Sequence, residues 1–304
     1  MSATPDAIRR LTVVDIAKMH AEGVRIPMLT AYDYPTAKLL DEAGIPVLLV
    51  GDSVGQVMLG YETTVRVTMA EMVHHTRAVV RGSTRALVVA DMPFLSYSNA
   101  DDALANAGVF LRDAGAQAVK VEGGVRTARV IEALVRAGIP VMGHIGLTPQ
   151  TINTIGKVRV QGKSKEQARS LVADALAVQE AGAFSVVVEL VPEQLAAAIT
   201  DRLQIPTIGI GAGAGCSGQV QVVTDLIGLG DFRPRHARPY AHVREAILEA
   251  ASAYAADVTA GTFPGPEETV RMDDAVLDEV LGRGASDRAT GAIPIGGIPL
   301  DRDL

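Results

Sequence analysis

Along this chain, short aliphatic runs alternate with longer amphipathic stretches, and the junction between the two keeps the same form. Four times an amphipathic stretch closes on Ala-Gly and an aliphatic run follows: Ala43-Gly44 before Val47 to Val50, Ala114-Gly115 before Ala118 to Val121, Ala137-Gly138 before Val141 to His144, and Ala181-Gly182 before Ser185 to Val188. Glycine accepts the left-handed conformation that ends a helix, so each unit reads as helix, cap and strand. The runs themselves do not alternate with polar residues. Strands of that kind are buried on both faces, as in a parallel sheet covered by helices. Four more candidates, Met28 to Ala31, Ala86 to Ala90, Thr207 to Ile210 and a weaker one over Gln221 to Ile227, bring the strands to eight. Eight is the strand number of an α/β (β/α)8 TIM barrel, and a doubly wound open sheet is the competing arrangement of the same pattern.

The remaining segments refine that picture. Residues 11 to 22 read as an N-terminal helix placed to cover the bottom of the barrel. The long connection after the second strand holds a loop, Gly55 to Thr64, and then a helix, Thr68 to Arg81. From Gly261 the character changes to prolines among glycines and acids, with a single short helix expected near Asp273 to Leu281. The expected division is one catalytic barrel over residues 1–270 and an extended C-terminal tail over 271–304.

Composition narrows the function. The 304 residues are 48% hydrophobic and carry a net charge of −7 with no run of Lys or Arg, so the phosphate-neutralising surface of a nucleic-acid binder is missing. The aliphatic runs fall far short of the roughly 20 residues that cross a bilayer, and the N-terminus has no apolar signal core. A cytoplasmic protein without membrane partners is the expectation. The single Cys216 fits a reducing compartment.

Chemistry is written at the strand ends, where barrel active sites sit. Four strands run into a carboxylate: Val50-Gly51-Asp52, Ala90-Asp91, Val121-Glu122 and Val188-Glu189. A single acid there reads as a helix cap, but four in equivalent positions repel one another unless a cation offsets them, and hard oxygen donors suit Mg2+ or Mn2+. Strand period 2 puts Lys120 and Glu122 on one face, so the lysine faces the acids, an anionic substrate or both. His144 shares a face with Met142 and is a candidate substrate contact. The His74-His75 pair, on a helix where neighbours diverge, is not a joint metal site. Gly213-Ala214-Gly215-Cys216-Ser217-Gly218 matches a dinucleotide fingerprint but follows the seventh strand and runs into strand, so its glycines are read as permitting close backbone approach.

Taken together, Thr30-Ala31-Tyr32-Asp33, Val50-Gly51-Asp52-Ser53, Ala90-Asp91-Met92-Pro93-Phe94, Lys120-Val121-Glu122-Gly123-Gly124, Gly143 to Gln150 and Gly209-Ile210-Gly211-Ala212-Gly213 resemble the ketopantoate hydroxymethyltransferase family, in order, over about Thr30 to Gly265. The resemblance implies a (β/α)8 barrel, Mg2+, 5,10-methylenetetrahydrofolate as one-carbon donor, a small 2-keto acid as acceptor, and a homo-oligomer, often a decamer. It also implies that Asp52 and Asp91 ligate the metal with Glu122 completing the acidic shell. Asp52, Ser53, Asp91, Lys120 and His144 would then hold the keto acid, and Glu189 would accept the proton. The chain departs from the family pattern at Ser217, where an Asp is usual, and at Thr224, where a His is usual. Lyases of the isocitrate lyase type are the rival metal-enolate enzymes, but they resemble a Lys-Lys-Cys-Gly-His pattern absent from this sequence. A nucleotide-binding regulatory module is the non-enzymatic rival.

Overall fold

The computed structural model describes residues 9–282. After helix α1 (Val13–Ala21) come strand β1 (Ile26–Thr30), helix α2 (Tyr34–Glu42), β2 (Val47–Val50), the short α3 (Val54–Val57), α4 (Met69–Gly82) and β3 (Leu87–Asp91). The alternation continues through α5 (Ala100–Arg112), β4 (Ala118–Glu122), α6 (Ala128–Arg136), β5 (Val141–Gly146), the short α7 (Ile152–Ile155), α8 (Lys165–Glu180) and β6 (Ser185–Glu189). It ends with α9 (Glu193–Thr200), β7 (Thr207–Ile210), β8 (Gly218–Gln221), the short α10 (Val223–Leu226), α11 (Val243–Ala260) and α12 (Asp274–Leu281). The eight strands are parallel and close on themselves in chain order, β8 pairing with β1, so the open-sheet alternative is excluded.

The four Ala-Gly junctions form as the sequence indicates. Gly44, Gly115, Gly138 and Gly182 have φ of 84, 81, 84 and 90°, each ending a helix just ahead of a strand. Two apolar layers result from strand period 2. One face of each strand packs outward on the helices, as with Leu48, Val88, Val119 and Val186. The other fills the barrel interior with Ile26, Met28, Val47, Leu49, Val89, Ala118, Met142, Val187, Ile208 and Val220, and Ile16 of α1 joins that stack from below. The N-terminal helix therefore covers the barrel bottom, as its pattern suggested.

Three boundaries differ from expectation. The eighth strand is Gly218–Gln221, whereas Val223–Leu226, part of the expected strand, is helical. The Thr30 hydroxyl accepts the Val223 N–H at 2.8 Å, turning the chain where its β-branched residues suggested it would run on. The loop after β2 contains α3 and a 3-10 turn, Thr64–Arg66. Contacts divide the chain into a unit ending at Arg244 and a second beginning at Glu245, ahead of the boundary expected at 270. Helix α11, which begins two residues before that division, buries none of its residues, and α12 forms where the short tail helix was expected. Residues 283–304 of the expected tail lie outside the described residues. Among the described residues no helix is long and apolar enough to cross a membrane.

Candidate active site

The faces that fill the barrel below carry its chemistry above. Two residues beyond Val89 stands Asp91, two beyond Ala118 stands Lys120 and then Glu122, two beyond Met142 stands His144, and two beyond Val187 stands Glu189. Asp52, two residues past the end of β2, joins them through its backbone N–H, which donates to Asp91 Oδ2 at 3.0 Å. All five expected polar groups of this inner ring, Asp52, Asp91, Lys120, Glu122 and His144, are buried. Glu189 is partly open, with its side chain 16% exposed.

The ring is held by a chain of short contacts. Lys120 Nζ lies 3.1 Å from Asp91 Oδ1 and 3.1 Å from His144 Nδ1. The same imidazole nitrogen is 3.3 Å from Glu122 Oε1, and Nε2 is 3.1 Å from Glu189 Oε2. Nδ1 cannot accept a proton from Lys120 and donate one to Glu122 at once. Burial and the Lys120 charge both oppose a charged ring, but the carboxylates of Glu122 and Glu189 at its two nitrogens outweigh them and push His144 up to about 9. The doubly protonated ring, with a carboxylate at ion-pair distance from each nitrogen, is the consistent arrangement near neutral pH. Both nitrogens stand at ion-pair distance from carboxylates, and Nε2 is buried without a hydrogen bond.

Burial followed by repulsion from Asp91 and Glu122 raises Asp52 well above the usual carboxylate range. Burial also raises Asp91, against the pull of Lys120. Burial alone would lower Lys120, but Asp91, Glu122 and Asp52 reverse the sign and hold it firmly protonated. Glu122, although buried, stays low because His144 and Lys120 stand beside it and the Gln150 N–H donates to it. Three acids therefore meet one lysine and one histidine in a buried site, and the upward shifts of Asp52 and Asp91 report that positive charge around them is short.

That shortage is the test of whether a divalent cation fits. Glu122 Oε1 and Asp91 Oδ1 are buried with no hydrogen bond, their neighbours standing at ion-pair distance without hydrogen-bond alignment. Buried carboxylate oxygens without donors are expensive, and hard oxygens are what Mg2+ takes. As the side chains stand, no three His, Cys, Asp or Glu groups among the described residues converge in ligating arrangement. Lys120 and His144 lie among the acids and partly balance them. The donor set fits a divalent cation, and taking one up requires the carboxylates to shift.

Four contacts lie beyond sequence reasoning. Ser53, expected to hold substrate, accepts or donates a 2.8 Å bond with the buried Tyr32 hydroxyl, and the Tyr32 carbonyl faces His75 Nδ1 at 2.6 Å. Gln150 Nε2 donates to Asp52 Oδ2 at 2.8 Å and its backbone N–H to Glu122 Oε2 at 3.0 Å. Both Tyr32 and Gln150 sit in quoted family segments, which was the available signal, but their partners are distant in sequence. The departure at Ser217 falls elsewhere: it exchanges hydrogen bonds with Thr207, at the start of β7, on the opposite end of the barrel from the acids. The glycine-rich stretch after β7 leads into β8 and not into a helix, so no helix N-terminus waits there for a phosphate. It instead lines a cavity of about 840 Å³ with Arg25, Gln219 and His236, away from the acids.

Close backbone approach supports Glu189. Gly146 has φ 92° and pairs with Glu189, and a Cβ there would stand 2.2 Å from the Glu189 carbonyl oxygen. Gly146→Ala is expected to cost about 1 kcal/mol or more, because the left-handed backbone and the contact both oppose it. Thermal melting checks the loss, and a lowered turnover checks the displacement of Glu189.

A closed parallel barrel with buried carboxylates, a lysine and a histidine gathered at the C-terminal ends of its strands defines a barrel enzyme. Solved structures share this fold. Phosphonopyruvate hydrolase in complex with oxalate and Mg2+ aligns with a TM-score of 0.57 at 13% identity, covering 92% of this chain and 99% of that one. Phosphoenolpyruvate phosphomutase from Streptomyces platensis subsp. rosaceus aligns with a TM-score of 0.57 at 16% identity, covering 93% and 100%. Sequence relatives carry the family. The profile of the ketopantoate hydroxymethyltransferase family matches residues 10–266. The 3-methyl-2-oxobutanoate hydroxymethyltransferase of Chloroflexus aurantiacus is 61% identical over 282 residues, 92% of this chain and 99% of that protein. The enzyme of the same name from Dehalococcoides mccartyi is 53% identical over 273 residues, 89% and 98%. The chain belongs to the ketopantoate hydroxymethyltransferase family and is a hydroxymethyltransferase.

Proposed function

We propose that this enzyme transfers a one-carbon unit from 5,10-methylenetetrahydrofolate to C3 of 3-methyl-2-oxobutanoate, giving 2-dehydropantoate, with Mg2+ as the resident cation. The observation that carries the reading is the buried ring of Asp52, Asp91 and Glu122 around Lys120, an acid cluster short of positive charge beside a more open Glu189. Asp52, Asp91 and Glu122 would hold Mg2+, which supplies polarisation of the keto group and so acidifies the hydrogen on C3. Lys120, held protonated by the acids, offers a donor to the substrate's carboxylate or to the oxygen that gains charge when C3 loses its proton. Ser53, steadied by Tyr32, offers a second.

Glu189 takes the C3 proton onto Oε1 or Oε2, with His144 holding the carboxylate in register. The resulting carbanion forms the new bond to the folate-borne methylene as one of that carbon's two carbon–nitrogen bonds breaks. Water then supplies the hydroxyl oxygen as the second carbon–nitrogen bond breaks, and each of the two freed nitrogens takes up a proton. The cytoplasm and a homo-oligomer remain the expected setting. Incubating the protein with the keto acid and methylenetetrahydrofolate, with and without Mg2+, tests the reading: ketopantoate forms only with both substrates and falls sharply on chelation. Full activity in excess EDTA would remove the cation from the proposal, and no product under any condition would remove the reaction.

A further inference from the structure

Gln150 lies in the 3-10 turn Pro149–Thr151 after β5 and is 3% exposed. Its amide nitrogen donates to Asp52 Oδ2 at 2.8 Å and to the Met92 carbonyl at 2.9 Å, while its amide oxygen accepts from the Tyr97 hydroxyl. The nitrogen side faces two acceptors and the oxygen side a hydroxyl, so only one orientation of the amide satisfies the network. Its backbone N–H meanwhile donates to Glu122 Oε2 at 3.0 Å. One residue therefore engages acids delivered by β2 and β4 together with the carbonyl that follows β3.

The pattern of which oxygens it occupies matters more than the number of bonds. Gln150 takes Asp52 Oδ2 and Glu122 Oε2, and the Asp52 N–H takes Asp91 Oδ2. Glu122 Oε1 and Asp91 Oδ1 are left buried without hydrogen bonds. A carboxylate with one oxygen pinned can present the other in only a narrow range of directions, so part of the ordering a cation site needs is supplied before the carboxylates close on an ion. Neutrality matters as well: an amide can donate to Asp52 where a carboxylate at 150 would add a fourth negative charge to a cluster already short of cations.

We infer that Gln150 is a positioning residue for the divalent-cation site, fixing Asp52 and Glu122 through one oxygen each and leaving their second oxygens for the ion, with Tyr97 fixing Gln150 in turn. The inference rests on the cation reading above and extends it to two residues outside the acid set.

The test is calorimetric titration of Mg2+, and separately Mn2+, into the full-length protein without substrates. Gln150→Leu, of similar length but unable to donate, is expected to bind either ion about 10- to 100-fold more weakly than the parent. Tyr97→Phe, which removes only the hydroxyl that anchors the amide, is expected to weaken binding in the same direction by less. A merely structural role would lower the melting temperature of the apoprotein and leave the ion affinity where it was. Parental affinity in a folded Gln150→Leu overturns the inference and leaves the cation reading intact. If Gln150→Leu does not fold, parental affinity in Tyr97→Phe overturns it instead. Absence of any Mg2+ or Mn2+ binding by the parent protein removes both together.

Discussion

Replacing Glu189 with Gln is expected to lower turnover by about 10^2- to 10^4-fold, the range that a positioned general base supplies, while the protein melts close to the parental temperature. The side chain is the open member of the cluster, 16% exposed, so a neutral isostere leaves no buried charge stranded. Its amide oxygen can still accept from His144 Nε2, which stands 3.1 Å from the carboxylate. What it cannot do is take a proton. Exchange of the C3 hydrogen in deuterated solvent, followed by NMR on the keto acid without any folate, isolates that step from the carbon–carbon bond. Exchange at the parental rate in Glu189→Gln would assign the base elsewhere. Loss of exchange together with turnover, at unchanged Mg2+ affinity, is the expected pattern.

Lys120→Met is expected to be the most destabilising change in the site, by about 3–5 kcal/mol in the metal-free protein, because it leaves Asp52, Asp91 and Glu122 buried without their ammonium. Lys120 is itself buried and lies 3.1 Å from Asp91. The pH dependence follows from the direction of the acid shifts. Asp52 and Asp91 already sit above the usual carboxylate range, and removing Lys120, which lowers both, moves them higher. The folded variant then keeps protons that the unfolded chain releases near pH 4, so stability falls as pH rises from there to the raised folded values. Each retained proton is worth about 1.4 kcal/mol per pH unit over that interval. The variant should therefore melt higher at pH 5.5 than at pH 8 by more than the parent does. Saturating Mg2+ should narrow the gap, since an ion at 100 times its dissociation constant contributes about 2.7 kcal/mol. A Lys120→Met melting curve indistinguishable from the parent's at both pH values would mean the acids are not coupled to this lysine.

How far the sequence carried depends on whether a feature is local. Period 2 alone placed Lys120 with Glu122, and the strand ends placed Asp91 and Glu189, because a β-strand converts adjacent letters into alternate faces. The helix-ending glycines were legible for the same reason: a left-handed cap is a property of one residue and its neighbours. Tyr32, His75, Tyr97 and Gln150 were not, since the bonds that define them join residues 21 to 98 positions apart. Their types alone announce nothing. The eighth strand slipped because Val222, Val223 and Thr224 favour extended backbone, and only the long-range bond from Thr30 explains why the chain turns there. Helix α11 is illegible in the sequence for the opposite reason. Its alanines and scattered aliphatics give no single stripe, and a helix that buries nothing has no periodic signature to read.

The apolar stack beneath the acids, from Val89 and Met142 down to Ile16, makes the barrel a well with a sealed floor. On the proposed chemistry, keto acid, one-carbon donor and water would approach the acids from the rim where Glu189 stands. The small reactant would then have to reach the floor before the bulky pterin arrived to cork the opening, and the spent folate would have to withdraw before the finished acid could leave. On the proposed chemistry, the geometry of the well sets an order of arrival and departure that none of the individual side chains imposes.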